Sequence, residues 1–163
     1  MKNLQITAYM QHFIRQQVMP GDICIDATMG NGNDTVLLSQ LAGKRGRVLA
    51  FDIQKQALEH TKERLKRDNC PENYQLLLES HENMDVYAGA ETVSCITFNL
   101  GYLPGGDHSV ATRADSSKRA VESGLTLLKK GGLMTICIYS GGDTGFQERD
   151  AMLSFIRQLD PHK

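Results

Sequence analysis

The chain has no apolar stretch long enough to span a bilayer. Its N-terminal region is interrupted by Gln11, His12, Arg15, Gln16 and Gln17, so neither a membrane span nor a signal peptide is expected. It also has little excess charge. A formal net charge of -1 gives no global attraction to nucleic acid, so any RNA contact has to come from a local, salt-sensitive patch. None of the cysteines (Cys24, Cys70, Cys95, Cys137) forms a C-x-x-C pair, and the histidines show no zinc spacing. No metal is expected. Three of the cysteines lie in apolar, strand-like runs and read as buried, reduced thiols of a cytoplasmic protein. Internal repeats and low-complexity segments are absent as well.

What is present is a regular alternation. With 163 residues, the chain is long enough for one domain with a real core, and residues 1–163 are read as that domain. Residues 4–18 read as an amphipathic helix ended by Pro20-Gly21. Strands are predicted at 22–27, 47–52, 74–79, 93–99 and 132–139. Helices are predicted at 34–42, 55–68, 113–129 and 145–159, with a short one near 82–88. The strand runs are short and nearly all apolar, as in strands covered on both faces. Lys129-Lys130-Gly131-Gly132 reads as a helix stop, with cations at the negative end and Gly at the exit. Strands alternating with crossover helices predict a doubly wound, Rossmann-like α/β sheet. The sequence given ends right after the last helix, which leads us to expect a truncated C-terminal hairpin, or a strand-five edge covered by a partner such as a second copy.

The chemistry-bearing segments fall after strands. Asp26-Ala-Thr-Met-Gly30-Asn31-Gly32-Asn33-Asp34-Thr35 is a Gly-rich turn between strand one and a helix. Asp52 ends strand two, 20 positions after Gly32, about where such a sheet sets a carboxylate on a ribose. The turn lacks the third Gly of the dinucleotide pattern and is not followed by Gly-Lys-Ser/Thr, which argues against NAD and against a P-loop. Asp26 and Asp34 would repel a phosphate and attract an ammonium. The expected cofactor is therefore S-adenosylmethionine, which combines an ammonium, a sulfonium and a ribose. Candidate cofactor residues are Asp26, Gly30, Asn31, Gly32, Asn33, Asp34 and Asp52, with Gln54 beside them. His81, Glu82 and Asn83 follow strand three, on the adenine side; capping of a short helix is the competing account.

Asn99-Leu-Gly-Tyr102-Leu-Pro-Gly-Gly-Asp107 follows strand four, and Asn99-Leu-Gly-Tyr102 resembles the Asn/Asp-Pro-Pro-Tyr box of amino-group methyltransferases. An amide oxygen can hold acceptor N–H groups so that the nitrogen lone pair aims at a methyl, and an aromatic ring can stack on a base. Asn99 and Tyr102 are the candidate catalytic residues. Tyr139 opens a further loop on the same rim. Arg113, Lys118 and Arg119 could meet RNA phosphates, although a solvated helix face is the blander account.

Together these strings resemble the MnmM family, formerly YtqB, of class I methyltransferases. The matching pieces are Asp26-Ala-Thr-x-Gly-Asn-Gly-x-Asp-Thr35, Phe51-Asp52-Ile53-Gln54, His81-Glu82, the 99–107 string and Tyr139-x-Gly141. The resemblance implies N-methylation of the aminomethyl group of 5-aminomethyl-2-thiouridine at the tRNA wobble position, with the tRNA anticodon region as partner. Gly142 stands where the family usually has His. Two alternatives stay open: a methyltransferase acting on rRNA base amino groups, and a non-catalytic, cofactor-binding RNA module.

Overall fold

The computed structural model describes residues 5–101, 113–139 and 145–162. The elements are α1 (Ile6–Gln17), β1 (Ile23–Asp26), α2 (Asn33–Ala42), β2 (Arg47–Asp52), α3 (Lys55–Arg67), β3 (Tyr74–Leu78), a 3-10 turn (His81–Val86), β4 (Val93–Leu100), α4 (Ala114–Leu127), β5 (Leu128–Ile138) and α5 (Gly145–Arg157). The strands form one parallel sheet in the order β3-β2-β1-β4-β5. The chain winds outward from β1 in both directions, and the point where the order reverses lies between β1 and β4.

Strand parity distributes the core. Ile25, Leu49, Phe51, Ile96 and Phe98 face one layer, with Met84, Val121 and Met152. Cys24, Val48 and Cys95 face the other, with Ile14 of α1, Val18 just after it, and Leu37 and Leu38 of α2. Central strands buried on both faces explain their continuous apolar sequences. At the sheet edge, β3 leaves Leu78 54% exposed. The layer with α1 and α2 also receives the polar strand ends. Asp26 has the parity of Cys24, Asp52 that of Val48, and Asn99 that of Cys95.

Two expectations need correction. The Lys129–Gly132 segment is not the exit of a helix. Helix α4 ends at Leu127, and β5 begins at the next residue. Val93 pairs with Leu128 and Cys95 with Leu133, so the extra residues are accommodated as an irregularity inside β5, with Gly131 at φ +78°. Lys129 Nζ reaches Asp22 Oδ1 at 3.2 Å instead of capping carbonyls. The helix predicted at 113–129 is also shorter than expected: Val121 is buried and Leu125 exposed on α4, but Leu128 and Lys129 belong to the strand. The free thiols Cys24, Cys95 and Cys137 are buried, whereas Cys70 is half-buried. Among the described residues β5 is an outermost strand, bonded only to β4. No helix among them is long and apolar enough to cross a membrane.

Candidate active site

The site is built at the carboxyl ends of β1, β2 and β4. After Asp26 the chain makes a turn in which Gly30 and Gly32 take φ +54° and +84°, values that side chains other than Gly rarely adopt. A Cβ on Gly32 would also lie 2.9 Å from Thr61 Oγ1 of α3. The neighbouring helix thus leaves no room for a side chain at Gly32. Thr61 Oγ1 donates to Gly30 O at 3.1 Å and braces the turn from behind. Position 35, where a dinucleotide site would have its third Gly, holds Thr35, whose hydroxyl donates to Asp26 Oδ2 at 2.6 Å. Gly32 N-caps α2 with no side-chain cap, so the first-turn amides of α2 are open to an anion.

Asp26 is fully buried and accepts from Thr35 and, at 3.2 Å, from Thr28 N. Burial, aided by the charge of Asp34, pushes its carboxyl up to about 7, against the opposing pull of those hydrogen bonds. Asp52 is half-buried. Its Oδ2 accepts from Gly30 N at 3.0 Å and its Oδ1 from Gln54 N at 2.9 Å. These two backbone donors lock the carboxylate while leaving acceptor capacity for a diol.

Asn99, at the end of β4, is tied to the turn twice. Its backbone N–H donates to Thr28 Oγ1 at 2.6 Å, and its Nδ2 donates to Asp34 Oδ2 at 2.8 Å. The other oxygen of Asp34 accepts from Gln11 Nε2 at 3.2 Å. The next residue but one, Gly101, has φ +139°, which proline cannot adopt, so the backbone here departs from an Asn-Pro-Pro-Tyr path. Tyr139 crosses behind it, with its Cβ 3.2 Å from where a Gly101 Cβ would lie. Tyr102 and Gly142 lie outside the described residues.

The structure therefore gathers Asp26, Gly30, Gly32, Asp34, Asp52 and Asn99, with Asn31 half-buried in the turn and the Gln54 backbone beside Asp52. The remaining candidates have protein partners. Asn33 is exposed and bonds Arg64 of α3. His81 is buried against Phe98, with its Nδ1 donating to Ala27 O at 3.0 Å. Burial lowers its pKa, which favours the neutral ring. This histidine pins the β3 exit to the β1 exit. Glu82 accepts from Arg119 Nε at 2.8 Å and Nη2 at 2.7 Å, which occupies Arg119, one of the candidate phosphate contacts. Asn83 Nδ2 donates to Glu79 Oε1 at 2.9 Å, and Ser80 caps the 3-10 turn. Thr28 and Thr35 were visible within the motif string but could not be given a role without the hydrogen-bond geometry. Gln11 carried no local signal at all, because its partner lies 23 residues away.

A locked carboxylate at β2, two carboxylates by the turn, and an uncapped helix N-terminus together suit a ligand with a ribose diol at one end and a zwitterionic amino acid at the other. Comparison with known proteins points the same way. A curated tRNA (mnm(5)s(2)U34)-methyltransferase of Arabidopsis thaliana chloroplasts is 36% identical over 157 residues, covering 88% of this chain and 56% of the relative. The chain thus spans little more than half of that relative's length. A crystal structure from Clostridium thermocellum, described as a “putative rRNA-methylase”, matches with a TM-score of 0.94 and 40% identity, over 100% of this chain and 87% of the other. A Streptococcus mutans protein, described as a “putative methyltransferase” and solved with SAH, matches with a TM-score of 0.85 and 39% identity, over 97% and 84%. The profile of the family described as “Putative rRNA methylase” matches residues 48–163. The chain has the class I methyltransferase fold and belongs to this rRNA methylase family.

Proposed function

We propose that the chain transfers a methyl group from S-adenosylmethionine to the aminomethyl nitrogen of 5-aminomethyl-2-thiouridine at the tRNA wobble position. The observation that carries this reading is the joining of Asn99 to the Gly-rich turn through Asp34, which puts an amide suited to an acceptor nitrogen beside the cofactor-type turn. The curated relative's specificity supports the acceptor, and the SAH-bound structure supports the cofactor.

When bound, S-adenosylmethionine supplies an electrophilic methyl on a sulfonium. Asp52 accepts from the ribose hydroxyls. The α2 amides meet the carboxylate of the methionine moiety, and Asp26 and Asp34 face its ammonium. Gln54, His81, Glu82 and Asn83 border the adenine side. Asn99 and Tyr102 align the acceptor amine. The amine first loses a proton to solvent, because its ammonium form has no lone pair. Its nitrogen then bonds the methyl carbon as the carbon–sulfur bond breaks and that electron pair leaves with sulfur. Alignment of this kind supplies on the order of 7–11 kcal/mol of barrier reduction. The same reading sets the protein in the cytoplasm, with the tRNA anticodon region as partner; a homodimer is the assembly proposed with it.

The test is methyl transfer from radiolabelled S-adenosylmethionine to tRNA lacking the last wobble methylation, followed by nucleoside mass analysis. Appearance of 5-methylaminomethyl-2-thiouridine is expected. The family description favours a second reading, an rRNA base amino group as acceptor. Label appearing in an rRNA pool and absent from the tRNA pool would replace the first reading with the second.

A further inference from the structure

Helix α1 brings one side chain into the site. Gln11 Nε2 donates to Asp34 Oδ1 at 3.2 Å, while Asn99 Nδ2 donates to Asp34 Oδ2 at 2.8 Å. Each carboxylate oxygen thus carries one side-chain amide. An ionised carboxylate only accepts, so each amide must turn its nitrogen toward Asp34. For Asn99 this has a directional consequence. Its Oδ1 points away from Asp34 and, among the described residues, accepts no hydrogen bond. That oxygen is the end of the amide able to receive an N–H from an acceptor amine.

We infer that Gln11 is a positioning residue: it fixes Asp34, which in turn fixes the amide orientation of Asn99 for the acceptor nitrogen. The inference rests on the amine-methylation reading given above. Gln11 suits the role because the rest of α1 is anchored without it. Ile14 is fully buried and Val18 nearly so. Gln17 Nε2 donates to Ser94 O at 3.2 Å and Gly131 O at 3.1 Å. Gln11 also adds no charge to an already acidic neighbourhood. The titratable groups that bear on Asp34 are Asp26 of β1, Cys95 of β4, and Cys137 and Tyr139 at the end of β5. From α1, His12 and Arg15 are exposed.

The test compares wild type, Gln11→Ala and Gln11→Glu by steady-state methyl transfer to hypomodified tRNA from pH 6 to 8.5. Melting temperature and S-adenosylmethionine affinity are measured on the same samples. Gln11→Ala is expected to keep the melting temperature and the cofactor affinity, since the charge of Asp34 remains. Its kcat should fall roughly tenfold, the scale of one hydrogen bond to a charged group, with KM for tRNA little changed. Gln11→Glu sets a second carboxylate against Asp34. It should be slower than Gln11→Ala at pH 8, and the ratio between the two rates should narrow toward pH 6, because two facing carboxylates favour sharing a proton. A helix-packing role would leave the pH profile unmoved. If wild type transfers methyl and Gln11→Ala keeps full kcat, the inference is overturned. A kcat loss that tracks a fall in melting temperature or cofactor affinity, or a Gln11→Glu profile parallel to wild type, overturns it too. No transfer by wild type to any RNA would instead overturn the reading beneath it.

Discussion

Asp26 bears the site's largest electrostatic cost. The carboxyl is fully buried, faces Asp34, and holds its proton up to about pH 7. Its folded pKa lies above the ordinary carboxylate value of 3.8, so its contribution to stability is complete below pH 3.8 and is lost as pH rises to about 7. Thermal melts of the ligand-free protein should therefore show a decline over that window, and Asp26→Asn should flatten it. An unchanged slope in the variant would contradict this account. The sign reverses for a cationic ligand. An ammonium favours the ionised pair, so S-adenosylmethionine affinity should rise with pH up to about 7 and binding should release protons. Calorimetry in buffers of different ionisation enthalpy measures that release. Thr35 offsets part of the cost through its 2.6 Å bond. Thr35→Val keeps the shape and strands a buried acceptor, at about 1–3 kcal/mol by chemical denaturation.

At the scale of elements, the Gly-rich turn is set by the approach of α3 as much as by the ligand. Gly32 combines φ +84° with a Thr61 side chain where its Cβ would go. Gly32→Ala should cost about 1–3 kcal/mol through backbone strain and displace the α2 N-terminus. Adding Thr61→Gly removes the side-chain part of the clash but keeps the residue-61 Cα about 3.2 Å away, and it leaves the strain. The double variant should therefore recover only a fraction of the loss relative to Thr61→Gly alone, a non-additivity that a double-mutant cycle measures. This geometry was half legible in the sequence. Two Gly residues after an apolar run announce a tight turn, and Thr35 in place of a third Gly argues against a pyrophosphate. The role of Thr61 was not legible, because helices α2 and α3 meet only once the sheet has placed them. The Lys129–Gly132 segment misled for a related reason. Gly and Lys after a helix fit a C-terminal cap, and only pairing with Val93 and Cys95 absorbs them into β5.

For the molecule as a whole, the site draws on β1, β2, β4, α1 and α2, so a ligand bound there ties the switch point together. A ligand that binds only the folded state stabilises it by about 2.7 kcal/mol at a hundredfold excess over Kd. In a chain of 163 residues that is an upward shift of roughly 5–11 °C. S-adenosylhomocysteine should produce such a shift in the wild type. Asp52→Ala, which removes a carboxylate held by two backbone donors, should weaken binding by about 10–100-fold and shrink the shift accordingly.

Period and spacing were enough to determine the order of elements, the parallel sheet and the two strand-end acids, because burial on both faces writes an unbroken apolar run and a turn at a switch point needs Gly. The resemblance of the 99–107 string added Asn99. The partners of these groups were decided by tertiary structure alone. Strand parity turns Asp26, Asp52 and Asn99 to the face that α1 and α2 cover, and this lets Gln11 reach Asp34 across 23 positions and Asn99 reach it across 65. It also sends Glu82 to Arg119 and His81 to Ala27. A hydrogen bond needs its two groups within about 3 Å, and the distance between residues far apart in sequence is fixed only when the layers pack.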